Sequence, residues 1–253
     1  MRIAISGTAN LGKTTLINDF IQEWPLYKTP ESSYRDLLKE KKYPCNKKVT
    51  KEGQWAILNH MIDDLQKHDK NSNIIYDRCP LDCLVYTLWA YEKQSSDIDD
   101  DFISKIIPLV KKSYHYLDII FFTPICKYNK IDIVNKDLRE TDGDYIEEID
   151  NLFKGIIHQY QNNIQSNVFF DPNDSPAVIE IFGSREERIQ YIRQYLNVDG
   201  DLIGEEHSIL NSENLNDMYD LLKSQQESLK QESLEKEQRA MIADFQKFNK
   251  IKK

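Results

Sequence analysis

Residues Gly7-Thr8-Ala9-Asn10-Leu11-Gly12-Lys13-Thr14, close to the start of the chain, restrict the fold more than anything else in the 253-residue sequence. They satisfy G-x-x-x-x-G-K-[ST] at every required position, a pattern tied to one local architecture in which a strand runs in, a tight loop turns and a helix begins. The flanks agree. Residues 3–7 are an apolar run that reads as a strand, and Leu16, Ile17, Phe20, Ile21 and Trp24 form one helical stripe that ends before Pro25. The glycines let the backbone pass close to an anion, while loop N–H groups and the helix N-terminus line it with positive charge. The spacing therefore predicts a phosphate cradle made of Gly7, Asn10, Leu11, Gly12, Lys13, Thr14 and Thr15. Within it Lys13 reaches the β- and γ-phosphates of a nucleotide, and Thr14 offers a hydroxyl to Mg²⁺.

The rest of the chain continues the alternation of strand and helix. Strands are predicted over 26–29, 73–77, 117–123 and 177–182. Helical spacing runs through Trp55, Leu58, Met61, Ile62 and Leu65, then through Leu81, Leu84, Val85, Leu88 and Trp89 behind Pro80. Two more stripes follow, from Ile146 to Tyr160 and at Ile189, Ile192 and Tyr195. This pattern predicts an α/β fold, a doubly wound, mostly parallel five-stranded sheet in one domain over 1–199. From 200 the composition changes. Residues 211–253 contain no Gly and no Pro and are rich in Gln, Glu and Lys, which predicts a helical C-terminal extension over 200–253. Such a helix is either solvated or the contact surface for a second copy or a protein partner.

Charge and cysteine usage exclude several classes. With 33 basic against 42 acidic side chains the net charge is -9, so no global field attracts a polyanion. Lysines within 39–48 and Lys111-Lys112 nevertheless keep a polynucleotide partner in play. Cys45, Cys79, Cys83 and Cys126 show no C-x-x-C pairing and read as reduced thiols of a cytoplasmic protein. No apolar run is long enough for a membrane span, and the first residues are too short a run for a signal peptide. Scattered histidines give no zinc pattern, and no G-x-S-x-G nucleophile motif occurs.

Four places, the loop, Pro30-Glu31-Ser32-Ser33-Tyr34-Arg35, Asp77-Arg78 and the surroundings of Arg139, make residues 1–196 resemble the P-loop nucleoside and nucleotide kinases. The resemblance is nearest to the nicotinamide-riboside-kinase-like branch of AAA-type P-loop kinases. It implies ATP and Mg²⁺ as cofactors and a nucleoside or nucleotide as the small-molecule substrate. It also implies that Asp77, with Thr14, serves the metal or takes the acceptor proton, and that Arg78, with Asp82 one turn on, faces the substrate. Asp82 is equally explained as a favourable acid in a first helical turn. Glu31 is implied as general base and Arg35 as a substrate contact, the plain alternative being an i,i+4 surface pair. Residues 126–144 match a lid that brings Arg139 to the transferring group, with Lys127 and Lys130 as weaker candidates. Gly183, before Ser184-Arg185, suits backbone contact with adenine or a strand-end turn. Gln54 could read a base edge, although a solvated helical glutamine is favoured.

Three activities remain open on the sequence. The first is a kinase for a small nucleoside or nucleotide. The second is a kinase acting on a modified base or the end of a polynucleotide, and the third is an ATP-dependent switch acting through its C-terminal helix.

Overall fold

A computed structural model describes residues 1–126, 141–162, 168–171 and 174–203. The chain divides into two units, Met1–Asp201 and Leu202–Lys253, and of the second only residues 202 and 203 are described. Nearly all of the extension expected over 200–253 thus lies outside the described residues.

Strand β1 (Arg2–Ser6) is followed by α1 (Lys13–Glu23), α2 (Tyr34–Lys41) and α3 (Lys51–Gln66). Then come β2 (Ile74–Asp77), α4 (Pro80–Glu92), α5 (Asp100–Ser113), β3 (Ile119–Phe122), α6 (Gly143–Asn162), β4 (Ala177–Glu180) and α7 (Arg185–Ile192). The sheet is parallel throughout, in the order β2-β1-β3-β4. Its register pairs Ile5 with Asp77 and Ser6 with Phe122, so the ends of β1, β2 and β3 open at the same edge. The chain moves outward from β1 to β2 and then crosses to β3 on the other side. That reversal leaves a crevice beyond the carboxyl ends of the strands, where this architecture binds ligands.

Alternation along the strands separates two cores. Ala4, Tyr76, Ile120 and Phe122 face a layer formed with α3, α4, α5 and α6. Ile3, Ile5, Ile75, Ile119 and Phe121 face Leu16, Ile17 and Phe20 of α1 and Ile192 of α7. Both faces of each central strand are buried, which explains why 117–123 is so nearly continuous in apolar residues.

The sheet has four strands where five were expected. Residues 26–29 form only an isolated bridge, in which Lys28 donates its N–H to Asn73 (3.0 Å) and accepts that of Ile75 (2.9 Å). A parallel ladder draws donors from alternate residues, so the next N–H required belongs to position 30, and Pro30 has none. Two helices are not among the stripes traced in the sequence. In α2 only Leu38 is buried, and the helix is fixed at its start by a capping box between Ser33 and Asp36. Helix α5 carries Pro108 in its interior yet buries Phe102, Ile106 and Val110 along one stripe. Among the described residues no helix is long and apolar enough to cross a membrane.

Candidate active site

The loop between β1 and α1 is shaped by backbone conformations that side chains resist. Gly7 has φ +132°, and a Cβ there would lie 2.7 Å from the carbonyl oxygen of Thr123, at the end of β3. Gly12 caps α1 with φ 74°, and Asn10 between them also has a positive φ of 62°. Lys13 is buried, and its Nζ donates across the loop to the Thr8 carbonyl. Burial first, and then the Arg78 cation, push the Lys13 ammonium down to about 7. Phosphate oxygens in the cradle would reverse that shift.

Strand β2 delivers Asp77 to the same edge. Thr14 Oγ1 donates to Asp77 Oδ2 at 3.2 Å, and Arg35 Nη1 donates to the same oxygen at 2.9 Å. Burial works to raise the Asp77 pKa, but the Arg35, Lys13 and Arg78 cations together hold it below the usual carboxylate value. Its other oxygen, Oδ1, is buried and has no hydrogen-bond partner among the described residues. A hydroxyl beside an incompletely satisfied carboxylate is a fitting donor set for Mg²⁺, which binds through one or two protein oxygens and completes its shell with phosphate and water. Among the described residues no group of three or more His, Cys, Asp or Glu side chains is placed to hold a metal ion.

Arg78 follows Asp77 with φ 82°, a left-handed conformation that costs a non-glycine residue about 1–2 kcal/mol. Its guanidinium holds it there. Nε donates to the Tyr34 hydroxyl (3.0 Å), Nη2 to the Tyr86 hydroxyl (3.2 Å), and Nη1 to the Gly7 carbonyl (3.0 Å) and Asp82 Oδ1 (2.7 Å). Asp82 is fully buried and also accepts Ser6 Oγ (2.7 Å) and the N–H groups of Gly7 (3.3 Å) and Cys79 (3.1 Å). This pair therefore ties the first turn of α4 to the mouth of the loop. Truncating either partner would leave a buried charge uncompensated, at a cost of about 3–5 kcal/mol.

A cavity of about 110 Å³ runs from Gly12–Thr15 to a wall of Tyr34, Leu38, Val49, Gln54, Ile57 and Tyr86. Gln54 is buried here and not solvated as expected, because α3 turns it toward α4. Its amide orientation is set. The Thr87 hydroxyl donates to the Cys83 carbonyl (2.7 Å) and so accepts from Gln54 Nε2 (2.9 Å). A second cavity of about 370 Å³ shares Thr14, Tyr34, Arg35, Met61 and Arg78 with the first and adds Glu31, His60, Asp64 and Asp77.

The structure thus gathers Lys13, Thr14, Arg35, Asp77, Arg78 and Asp82 at one edge. Glu31 is exposed and lines only the second cavity. It precedes the α2 cap at Ser33, so it forms no helical i,i+4 pair with Arg35, whose carboxylate partner is Asp77. Gly183 has φ 99°, and a Cβ on it would strike Glu187, the residue that closes the α7 capping box with Ser184. Capping accounts for that glycine. Arg139, Lys127 and Lys130 lie outside the described residues. Tyr34 and Tyr86 line the first cavity and Thr87 stands behind Gln54, and the sequence singles out none of the three as a site residue. Tyr86 could have been found at i+4 from Asp82 on the face of α4 that carries Cys79 and Cys83.

Comparison with known proteins supports this arrangement at the level of fold. A family model described as an AAA domain matches residues 2–166. No curated protein sequence matches the chain. Among solved structures, deoxyadenosine kinase from M. mycoides with its products dCMP and dCDP is similar with a TM-score of 0.57 at 17% identity, covering 76% of this chain and 96% of that one. The NadR protein in complex with NR gives a TM-score of 0.52 at 14% identity, covering 77% of this chain and 51% of that one.

Proposed function

Because the chain belongs to the AAA domain family, and the matched span 2–166 holds both the loop and Asp77, we propose that it is an ATP- and Mg²⁺-dependent kinase for a small nucleoside-type substrate. The observation that carries this reading is the first cavity. One end of it is the phosphate loop, and the other is an apolar and aromatic slot in which the Gln54 amide is held in one orientation, a surface that suits a nucleobase. The solved structures similar in fold have nucleotides or NR bound, which fits an acceptor of this kind.

In this reading Lys13 and the loop N–H groups hold the β- and γ-phosphates, and Thr14 and Asp77 hold the metal side of the triphosphate. Bound Mg²⁺ neutralises charge on the phosphate oxygens. A carboxylate held below its usual pKa is a poor proton acceptor near neutrality, so Asp77 serves as an orienting ligand more than as a general base. Glu31 lines the second cavity together with Asp77, and in this reading it is the group that takes the proton of the acceptor hydroxyl. Arg78 and Asp82 neutralise each other, and Arg35 is paired with Asp77. A neutral acceptor is therefore favoured over one that brings its own phosphate.

The test is transfer of labelled γ-phosphoryl from ATP to a panel of nucleosides, nicotinamide riboside and nucleoside monophosphates. Neutral nucleosides are expected to be phosphorylated and monophosphates poorly or not at all. ATP hydrolysis with no transfer to any member of the panel would sink the reading in favour of an ATP-driven switch.

A further inference from the structure

Helix α7 lies along α1, and its two arginines and the Arg193 that caps its C-terminus treat that neighbour differently. Arg185 and Arg193 are exposed and pair with Asp19 (2.5 Å) and Glu23 (2.7 Å) of α1. Arg188, between them, is buried and forms no ion pair among the described residues. It donates instead to two carbonyls from separate segments, Nη1 to Leu11 (2.7 Å) and Nε to Gly183 (3.0 Å). Burial lowers its pKa, as expected for a guanidinium that meets no carboxylate among the described residues. A cation left in so costly a setting calls for an explanation beyond joining two helices, which the exposed pairs already do.

The geometry of the Leu11–Gly12 peptide supplies one. In a trans peptide the C=O and N–H point in opposite directions. Drawing the Leu11 carbonyl outward to Arg188 therefore turns the Gly12 N–H inward, toward the cradle. A Cβ at Gly12 would approach Arg188 Nη1 to 3.5 Å, so the guanidinium lies directly against this peptide. Its second bond fixes the Gly183 turn, between β4 and α7, to the same point.

We propose that Arg188 is a positioning residue for the nucleotide donor, holding the Leu11–Gly12 peptide in its phosphate-binding orientation and tying it to the Gly183 turn. The proposal rests on the reading of the loop as a nucleotide site, and it places a binding determinant beyond the matched residues 2–166.

The experiment measures binding of Mg²⁺·ATP to the full chain by calorimetry without any acceptor, together with KM and kcat in the transfer assay and thermal unfolding without nucleotide. Arg188→Met is expected to weaken ATP binding by about tenfold, the range for losing hydrogen bonds from a charged donor, with kcat at saturating ATP within about twofold of wild type. Arg188→Lys keeps the charge but cannot bridge both carbonyls, so it should fall between the two, and it carries the comparison if Arg188→Met does not fold. Arg193→Met removes a neighbouring ion pair and should bind ATP as the wild type does. Wild-type affinity in Arg188→Met, or an equal loss in Arg193→Met, would overturn the proposal. Failure of the wild type itself to bind ATP would instead overturn the reading of the loop.

Discussion

The two ends of the cleft are built on different principles. From Gly7 to Gly12 the phosphate loop is one contiguous stretch whose chemistry lies in its backbone, with three positive φ angles and N–H groups gathered at the start of α1. The opposite wall is assembled from side chains distant in sequence, Tyr34 on α2, Gln54 on α3, Arg78 after β2 and Tyr86 on α4. A backbone site tolerates many residues at its x positions but few conformations. A side-chain site depends on the packing of helices that meet only in the folded chain. The loop should therefore govern turnover and the wall should govern which acceptor is used, and substitutions can separate the two.

The largest effect is expected at the loop. Lys13→Ala removes a cation aimed at charge that develops during transfer, so kcat should fall on the order of 1,000-fold while the thermal transition stays in place. A variant that keeps wild-type turnover would break the distinction at its strongest point. Asp77→Asn comes next, with a fall in kcat of roughly 100-fold and a much smaller change in ATP affinity. A rise in acceptor KM alone would move Asp77 from the metal side of the cleft to the acceptor wall.

Legibility in the sequence follows the same divide. The loop could be read because its chemistry is local, and β1, α1 and their junction were implied by one short motif. Asp77-Arg78 could be read as a pair at a strand end, but the reason Arg78 tolerates φ 82° could not, since its four partners come from α2, β1's exit and α4. Gln54 was misplaced for a related reason. One polar residue on an amphipathic helix looks solvated until the facing helix is known, and here that helix offers Thr87 and Cys83. The fifth strand failed on Pro30, visible in the sequence but decisive only once Lys28 is seen to have one bridge to extend.

At the acceptor wall the expected effects are smaller and change kind. Gln54→Ala should raise acceptor KM by about tenfold with kcat and ATP affinity near wild type, because it removes a polar contact to the bound acceptor and nothing at the loop. Thr87→Val sharpens the point. It deletes the hydroxyl that orients the Gln54 amide while conserving shape, so preference among nucleosides should narrow even where the best acceptor is still used well. If Thr87→Val leaves the ratio of kcat/KM values between two nucleosides unchanged, the amide is not what reads the acceptor.

The smallest effect lies at the loop and concerns protons. Burial, with Arg78 behind it, holds the Lys13 ammonium at about 7 in the protein without nucleotide, well below an ordinary lysine. Triphosphate oxygens around Nζ stabilise the charged form and restore a higher pKa, so binding above pH 7 requires proton uptake. The sign follows: affinity is fully present below about pH 7 and is lost as pH rises through it. Between pH 7 and pH 8 the protonated fraction drops from about one half to about one tenth, which predicts roughly a fivefold weakening of ATP binding. Calorimetry in two buffers of different ionisation enthalpy reads the uptake directly, near zero at pH 6 and approaching one proton per ATP at pH 8, after subtraction of the nucleotide's own titration. Uptake near zero at both values would mean that Lys13 is charged before the nucleotide arrives. The loop would then be a preformed cationic site, as rigid in charge as it is in backbone.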